Sequence, residues 1–402
     1  MTTTSIEKKM IRTSLLLSLS LATIIACTTV TPTQVSVDQY VDEARRIAGE
    51  DLKFLMPVCN PQPAVRSVPS PATDERLAKL INQPPPDPGQ AFDNLYYVGS
   101  RWVSAWVLKT SNGLILIDAL NNAKEATDLI EGGMRRLGLD PAQIRYVLVT
   151  HGHGDHYGGA QMIAERYGAR VVASEIDWKM METGLEFDSK MWDRPPKRDI
   201  AVNDGETLTL GDVTVRFMIT PGHTLGTITP VFEVRDGGRV HKAMIWGGTS
   251  FNFGRDMGRL DSYIAQTERM RALSAKWGID VPLSNHPGFD GTVAKLKARA
   301  ADSSGANPFI SGQAVVDRAM RVLNTCARAQ KTRFLITAQA GSENAYAAAK
   351  GMPDHEFEHS EEDDHIHQGT LAFGNADEDK PLAFPFSVYA GAKVGFNVNK
   401  VP

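Results

Sequence analysis

The segment His151-Gly-His153-Gly-Asp155-His156 constrains this chain more than any other feature, because it places three of the ten histidines and a carboxylate within six residues. A single histidine is ordinarily a satisfied polar group, and His241, alone after Gly237-Gly238, is read that way. Three imidazoles gathered at the end of a buried strand have no such outlet, since desolvated polar groups without partners are costly. They are the donors that zinc accepts, at about 2.0–2.2 Å. Residues 145–150, just before them, form a short apolar run of strand type. Two apart on extended backbone, His151 and His153 point to one side and can share an ion. Asp155 and His156 then fall at the turn into a following helix, where they can address a second. Glycines at 152, 154, 158 and 159 are expected to let the backbone turn there without Cβ clashes.

The pattern around the cluster defines the fold class. Strand-like runs occur at 95–98, 104–109 and 114–118, the last two joined at Ser111-Asn112-Gly113. A helix is expected over 123–137, then the strand at 145–150, a helix over 158–167 and a strand at 171–174. From residue 208 the strands come as hairpins, at 208–220, 229–235 and 242–247. Strands alternating with helices and then pairing as hairpins predict an α/β protein, two mixed β-sheets packed together with helices on the outer faces. Beyond Phe289 the pattern turns helical, at 293–300 and 314–329, around a loop at Asn307-Pro308-Phe309.

Both ends differ from this body. Lys8, Lys9 and Arg12 precede an apolar run over 15–26, the length of a signal-peptide core and too short to span a bilayer. Residues 1–26 are therefore read as a signal peptide. Ile24-Ile25-Ala26-Cys27 resembles the lipobox of bacterial lipoproteins, which implies lipidation of Cys27 and an exported, periplasmic protein anchored to the membrane by its acyl chains. Residues 27–91 contain a helical pattern at 37–55 and then Pro84-Pro85-Pro86-Asp87-Pro88, read as a tether because proline at this density opposes regular structure. The catalytic domain is expected over 92–332 and a C-terminal extension over 333–402. That extension carries ten acidic residues between Asp354 and Asp379 without one Lys or Arg, in a chain of formal charge −4, so the body has a small basic excess. An acidic tail on such a body does not suit nucleic-acid binding. Histidines 355, 359, 365 and 367 lie in the tail, which is read as a solvated, partly disordered segment or as a metal-capturing one. Cys59 and Cys326 either pair in an oxidising compartment or stand as two buried thiols.

The order of motifs resembles the metallo-β-lactamase superfamily. His151-x-His-x-Asp-His156 after an apolar strand is similar to its metal signature, Thr220-Pro-Gly-His223-Thr to its second motif, and Ser284-Asn-His286-Pro to its last histidine. Leu116-Ile-Asp118 resembles its early strand-end aspartate. The resemblance implies that His151, His153 and His223 hold one zinc, and Asp155, His156 and His286 a second, each with an open position of the catalytic kind. Many hydrolases of the superfamily, glyoxalase II among them, add an aspartate bridging both metals, and the equivalent place here, Gly247-Gly248-Thr249-Ser250, has neither carboxylate nor cysteine. The remaining set, three histidines on one zinc and Asp-His-His on the other, is similar to the third subclass of metallo-β-lactamases.

That resemblance implies a hydrolase acting on a small molecule. Two zinc ions lower the pKa of a shared water, giving a hydroxide that attacks a carbonyl carbon, with Asp155 orienting it and passing its proton. A β-lactam amide is the expected substrate. The alternatives are a lactone, an ester or another amide on the same metal pair, or a zinc-binding lipoprotein without catalysis. Thr249 and Ser250 stand where that subclass carries substrate-holding serines. Trp102 and Trp106, with Trp246, are expected to line the substrate pocket or to belong to the core.

Overall fold

The protein is seen here as a computed structural model that describes residues 35–350, of which those from Ser36 onward fall into one unit. The proposed signal peptide, Cys27 and the acidic histidine-bearing tail lie outside the described residues. Among the described residues, no helix is long and apolar enough to cross a membrane.

Two mixed sheets make the centre, as the pattern of strands predicts. The first has seven strands in sequence order: β1 Gly89–Phe92, β2 Leu95–Tyr97, β3 Trp106–Thr110, β4 Gly113–Ile117, β5 Ile144–Leu148, β6 Arg170–Ser174 and β7 Ile200–Val202. Neighbours are antiparallel up to β4 and parallel from there to β7. The change coincides with helical crossovers, which parallel pairing requires. These are α3 Ala123–Glu125 and α4 Gly132–Arg136, joined by a π-helical turn over Ala126–Glu131, then α5 Gly154–Tyr157, α6 Ala160–Tyr167 and α7 Glu175–Thr183. The second sheet has the order β12-β11-β10-β9-β8, formed by β8 Thr207–Leu210, β9 Val213–Ile219, β10 Ile228–Asp236, β11 Arg239–Trp246 and β12 Val281–Ser284.

Side-chain alternation along these strands divides the interior into three apolar layers. In β4, Ile115 and Ile117 point between the sheets while Leu114 and Leu116 point outward. In β11, Ala243 and Ile245 point between the sheets while Met244 and Trp246 point outward. The outer face of the first sheet is covered by Ala126, Ile130, Met134, Ile163 and Trp178 from its crossover helices. The outer face of the second is covered by α8 Met257–Trp277 and α10 Gln313–Lys350, with α9 Thr292–Ala301 between them in sequence. The result is a helix–sheet–sheet–helix sandwich.

The N-terminal reading needs correction. Residues 37–81 are no tether. Helix α1 Val37–Ala48 buries Ala44, Ile47 and Ala48 in the same layer as α10, and a 3₁₀ turn over Lys53–Cys59 adds Leu55 and Val58. Helix α2 Pro71–Ile81 begins with proline at its first position, where the missing N–H costs nothing, under a Ser70 cap whose hydroxyl accepts from Thr73 N at 3.2 Å. The first sheet also starts before residue 92, at Gly89. Cys59 and Cys326 are bonded to each other, fastening the N-terminal turn to α10. At the other end, α10 continues past residue 332 to Lys350.

Candidate metal centre

The first sheet delivers the cluster as its spacing requires. Strand β5 ends at Leu148, and residues 149–153 run on until α5 begins at Gly154. His151, His153, Asp155 and His156 are all buried. His223 comes from the loop between β9 and β10, and His286 from just past β12, so both sheets contribute.

Two groups of donor atoms result. Nε2 of His223 lies 3.1 Å from Nε2 of His151 and 3.1 Å from Nδ1 of His153. Nε2 of His156 lies 3.3 Å from Nε2 of His286 and 3.4 Å from Asp155 Oδ2, which is 3.7 Å from His286 Nε2. Donors spaced tetrahedrally around a metal at about 2.0–2.1 Å stand about 3.3 Å apart, so both groups have the size and the donor types that a first-row divalent ion takes. His151 also comes close enough to Asp155 and His156 to form a triad with them, which places the two groups side by side.

Each ring is oriented from behind. Nδ1 donates to the Gly247 carbonyl from His151 at 2.8 Å, to the Ser250 carbonyl from His223 at 2.8 Å, and to the Trp102 carbonyl from His286 at 2.7 Å. Nδ1 of His156 lies 2.8 Å from Asp118 Oδ2. Fixing one nitrogen as a donor leaves the other as a lone pair aimed inward. His153 is turned the other way, with Nδ1 inward and Nε2 3.8 Å from Glu186 Oε2.

The electrostatics of the cluster follow from burial, from the crowding of its imidazoles and from the carboxylates of Asp155 and Asp118. Burial, reinforced by neighbouring imidazoles, holds His151 and His223 well below the usual histidine range, and burial with His156 brings His286 down to about 4. Burial also opposes charge on His156, but Asp155 and Asp118 outweigh it and push that ring up to about 10. For Asp155, burial works upward, and His156, together with His286 and His153, brings the carboxyl below its ordinary value.

Several residues support the donors, Asp118 of the strand-end motif first among them. Asp118 sits at φ 62°, a left-handed conformation that aspartate tolerates, and its carboxylate accepts from Thr150 N at 2.7 Å as well as facing His156. Asp177 joins two ligand-bearing loops by accepting from Gly152 N at 2.8 Å, Thr224 Oγ1 at 2.8 Å and Gly226 N at 2.9 Å. Asn285 donates to the Gly247 carbonyl at 2.6 Å. Arg259, buried, donates to the Gly222 carbonyl at 2.9 Å and to the His223 carbonyl, and grips Glu186 through both terminal nitrogens. Burial would raise Glu186, but His153 and Arg259 bring it down to about 2.

The glycines spare the turn Cβ clashes, as expected, and do so without left-handed backbone at the helix entry. Gly158 and Gly159 have ordinary negative φ values, −56° and −85°. What they provide is room: a Cβ at Gly158 would stand 1.9 Å from the Asn121 carbonyl oxygen. A Cβ at Gly248 would stand 2.5 Å from that of His223, so the segment expected to hold a bridging carboxylate in other hydrolases is packed against a ligand here.

A cleft of about 460 Å³ opens onto the donors, lined by His153, Asp155, His223 and His286 and by Trp102, Trp192 and Ser250. Two sequence-based pocket assignments are corrected. Trp106 is 1% exposed and packs between the sheets against Tyr97 and Phe309, because its position in β3 faces inward. Thr249 is buried and borders a separate apolar cavity behind the site. Trp246 faces outward from the second sheet and donates to Tyr263 Oη at 3.1 Å. His241, read as an ordinary polar group, pairs with Asp280 at 2.6 Å.

Residues 101–237 match the sequence profile of the metallo-beta-lactamase superfamily. Among curated relatives, a hydroxyacylglutathione hydrolase of Acidiphilium cryptum is 32% identical over 128 residues, 32% of this chain and 44% of that protein. The chain spans about half the length of the curated relatives it matches. Among solved structures, a subclass B3 metallo-β-lactamase of Bradyrhizobium japonicum is similar with a TM-score of 0.53 and 29% identity, over 68% of this chain and 99% of that one. A metallo-β-lactamase from Legionella gormanii shares the fold with a TM-score of 0.52 and 21% identity, over 64% of this chain and 98% of that one.

Proposed function

The chain carries a metallo-β-lactamase superfamily domain, and from that premise we propose that it is a two-zinc hydrolase that opens the amide of a β-lactam ring. The observation that carries this reading is the convergence of His151, His153 and His223 in one group and of Asp155 and His156 beside them, with His286 3.3 Å from His156, four of the five imidazoles being fixed from behind by a carbonyl or carboxylate. His151, His153 and His223 would hold one ion, and Asp155, His156 and His286 the other. Zinc bound there supplies Lewis acidity, which lowers the pKa of a coordinated water and polarises a carbonyl.

The chain's own residues do the rest. Asp155 reaches both the second donor group and the cleft, and with Oδ2 in that group its other carboxylate oxygen is left to orient the attacking water and take its proton. That proton then goes to the ring nitrogen as the carbon–nitrogen bond breaks, which balances the hydrolysis. Trp102 and Trp192 flank the cleft with aromatic surface that keeps bulk water from the reacting carbonyl.

A second reading is favoured by the curated relatives, whose name implies hydrolysis of a hydroxyacylglutathione thioester. Against it stands Gly248, where a bridging carboxylate would collide with His223. A third reading, zinc binding without turnover, predicts two bound ions and no hydrolysis. One assay separates the three: the purified, zinc-loaded protein is offered a carbapenem and a hydroxyacylglutathione, with and without chelator. Carbapenem turnover that chelator abolishes is expected; hydrolysis of the thioester alone would replace the β-lactam reading, and inertness towards both would favour the third. Export and a lipid anchor at Cys27 belong to the same proposal, and the Cys59–Cys326 bond supports a place outside the reducing cytosol.

A further inference from the structure

The cleft has a wall that no superfamily motif supplies. Gln62, Arg66, Arg76, Leu77, Leu80 and Gln83, all from the segment before the first sheet, line the same space as the metal-facing histidines. The segment is anchored at several points. Cys59 is bonded to Cys326 just before it, and Gln62 and Gln330 exchange hydrogen bonds of 3.1 and 3.2 Å between the backbone of one and the amide of the other. Farther along, Arg255 N donates to the Ala64 carbonyl at 2.7 Å and Ser189 Oγ to Asp74 at 2.7 Å.

The charges on this wall are lopsided. Arg66 donates to the Glu186 carbonyl at 2.9 Å, which puts it beside His153 and the first donor group. Arg101 stands next to Trp102, whose carbonyl orients His286 in the second group, and its Nε is held by the Pro84 carbonyl at 3.0 Å. Arg76 is exposed on α2 and lines the same cleft. The carboxylates that line the cleft are Asp155, taken up by the histidines, and Glu186, gripped by Arg259 and 3.8 Å from the Arg66 guanidinium. Arg66 therefore shares Glu186, while Arg76 and Arg101 face the cleft with no carboxylate among its lining residues left to balance them.

We propose that the segment over residues 61–84, together with Arg101 from the loop between β2 and β3, is the substrate-selecting wall of the site, with Arg76 and Arg101 binding a carboxylate borne by the substrate. The proposal rests on the hydrolase reading above and names its substrate class: anionic acyl compounds over neutral ones. A β-lactam and a glutathione thioester both carry such a carboxylate, so they share the chemistry and are separated by experiment.

The test uses the full zinc-loaded chain with Arg76→Ser, Arg101→Ser and both together, positions exposed enough that folding is preserved. Substrates are benzylpenicillin, a hydroxyacylglutathione and neutral phenyl acetate. For the double variant, KM for an anionic substrate should rise about tenfold, with salt weakening the wild type in the same direction. Turnover of phenyl acetate should stay within about twofold, since a neutral ester gains nothing from the charges. Which anion responds identifies the source of the carboxylate. In parallel, calorimetric titration with hydrolysed benzylpenicillin reads binding alone: wild type binds and the double variant does so at least several-fold more weakly. Inertness towards all three substrates would sink the hydrolase reading yet leave this second measurement to judge the wall. Equal binding by wild type and double variant, or an equal loss on phenyl acetate, overturns the proposal.

Discussion

At the scale of single residues, the ligand positions were legible because metal coordination is a local demand written as spacing. His151, His153, Asp155 and His156 fall within one turn of chain, and only His223 and His286 needed motifs farther off. Of the residues that hold them, Asp118 was legible as a strand-end aspartate, while Asp177 and Arg259 were not. Asp177 acts on groups 25 and 49 positions away, and Arg259 on a carbonyl 36 away, contacts that only the folded topology creates. Asp155 is expected to combine ligation with proton transfer. Asp155→Asn keeps the shape and an oxygen donor, so the variant should fold and retain the ion at His151, His153 and His223, while turnover falls on the order of 10²–10⁴; near wild-type kcat in a metal-replete variant would remove that role. Asp118 acts one step behind. Asp118→Ala should weaken binding at the His156 group about 10–100-fold, read by competition with a fluorescent chelator, with the His223 group less affected.

At the scale of elements, strands and hairpins were readable where alternation was clean, as in β4 and β11, and the missed elements have physical reasons. Helix α8 buries Arg259, Thr267 and Ser274 beside Leu260, Tyr263 and Met270, so polar residues dilute its apolar stripe. Strand β12 contains Pro282, tolerable because it lies at a sheet edge. Helix α2 was hidden by prolines that only punctuate its ends. The two tryptophans expected together at the pocket belong to different elements of the packing, and their loss should look different. Trp106→Ala opens a hole between the sheets and should cost about 3–5 kcal/mol in a denaturant titration. Trp102→Ala, on a half-buried ring beside His286, should leave the midpoint nearly unchanged and raise KM; the opposite assignment of effects would return Trp106 to the pocket.

At the scale of the whole molecule, the four-layer sandwich was legible from the order of elements, while the role of the N-terminal segment was not, because proline-rich composition carries no record of what the chain packs against. The proposed anchor is a property of the same scale. Cys27→Ser should shift the exported protein from the membrane pellet to the soluble fraction in cell fractionation, and a wild-type protein already soluble after export would exclude lipidation. The Cys59–Cys326 bond has a consequence for the chain as a covalent object. Both sheets and every donor atom lie between those two positions, so the machinery is enclosed in a closed ring of polymer. A single proteolytic nick within the ring separates nothing, and the two pieces part only after reduction. Cys326 follows Cys59 by 267 positions, so the ring can close only after every strand and every donor residue has been synthesised.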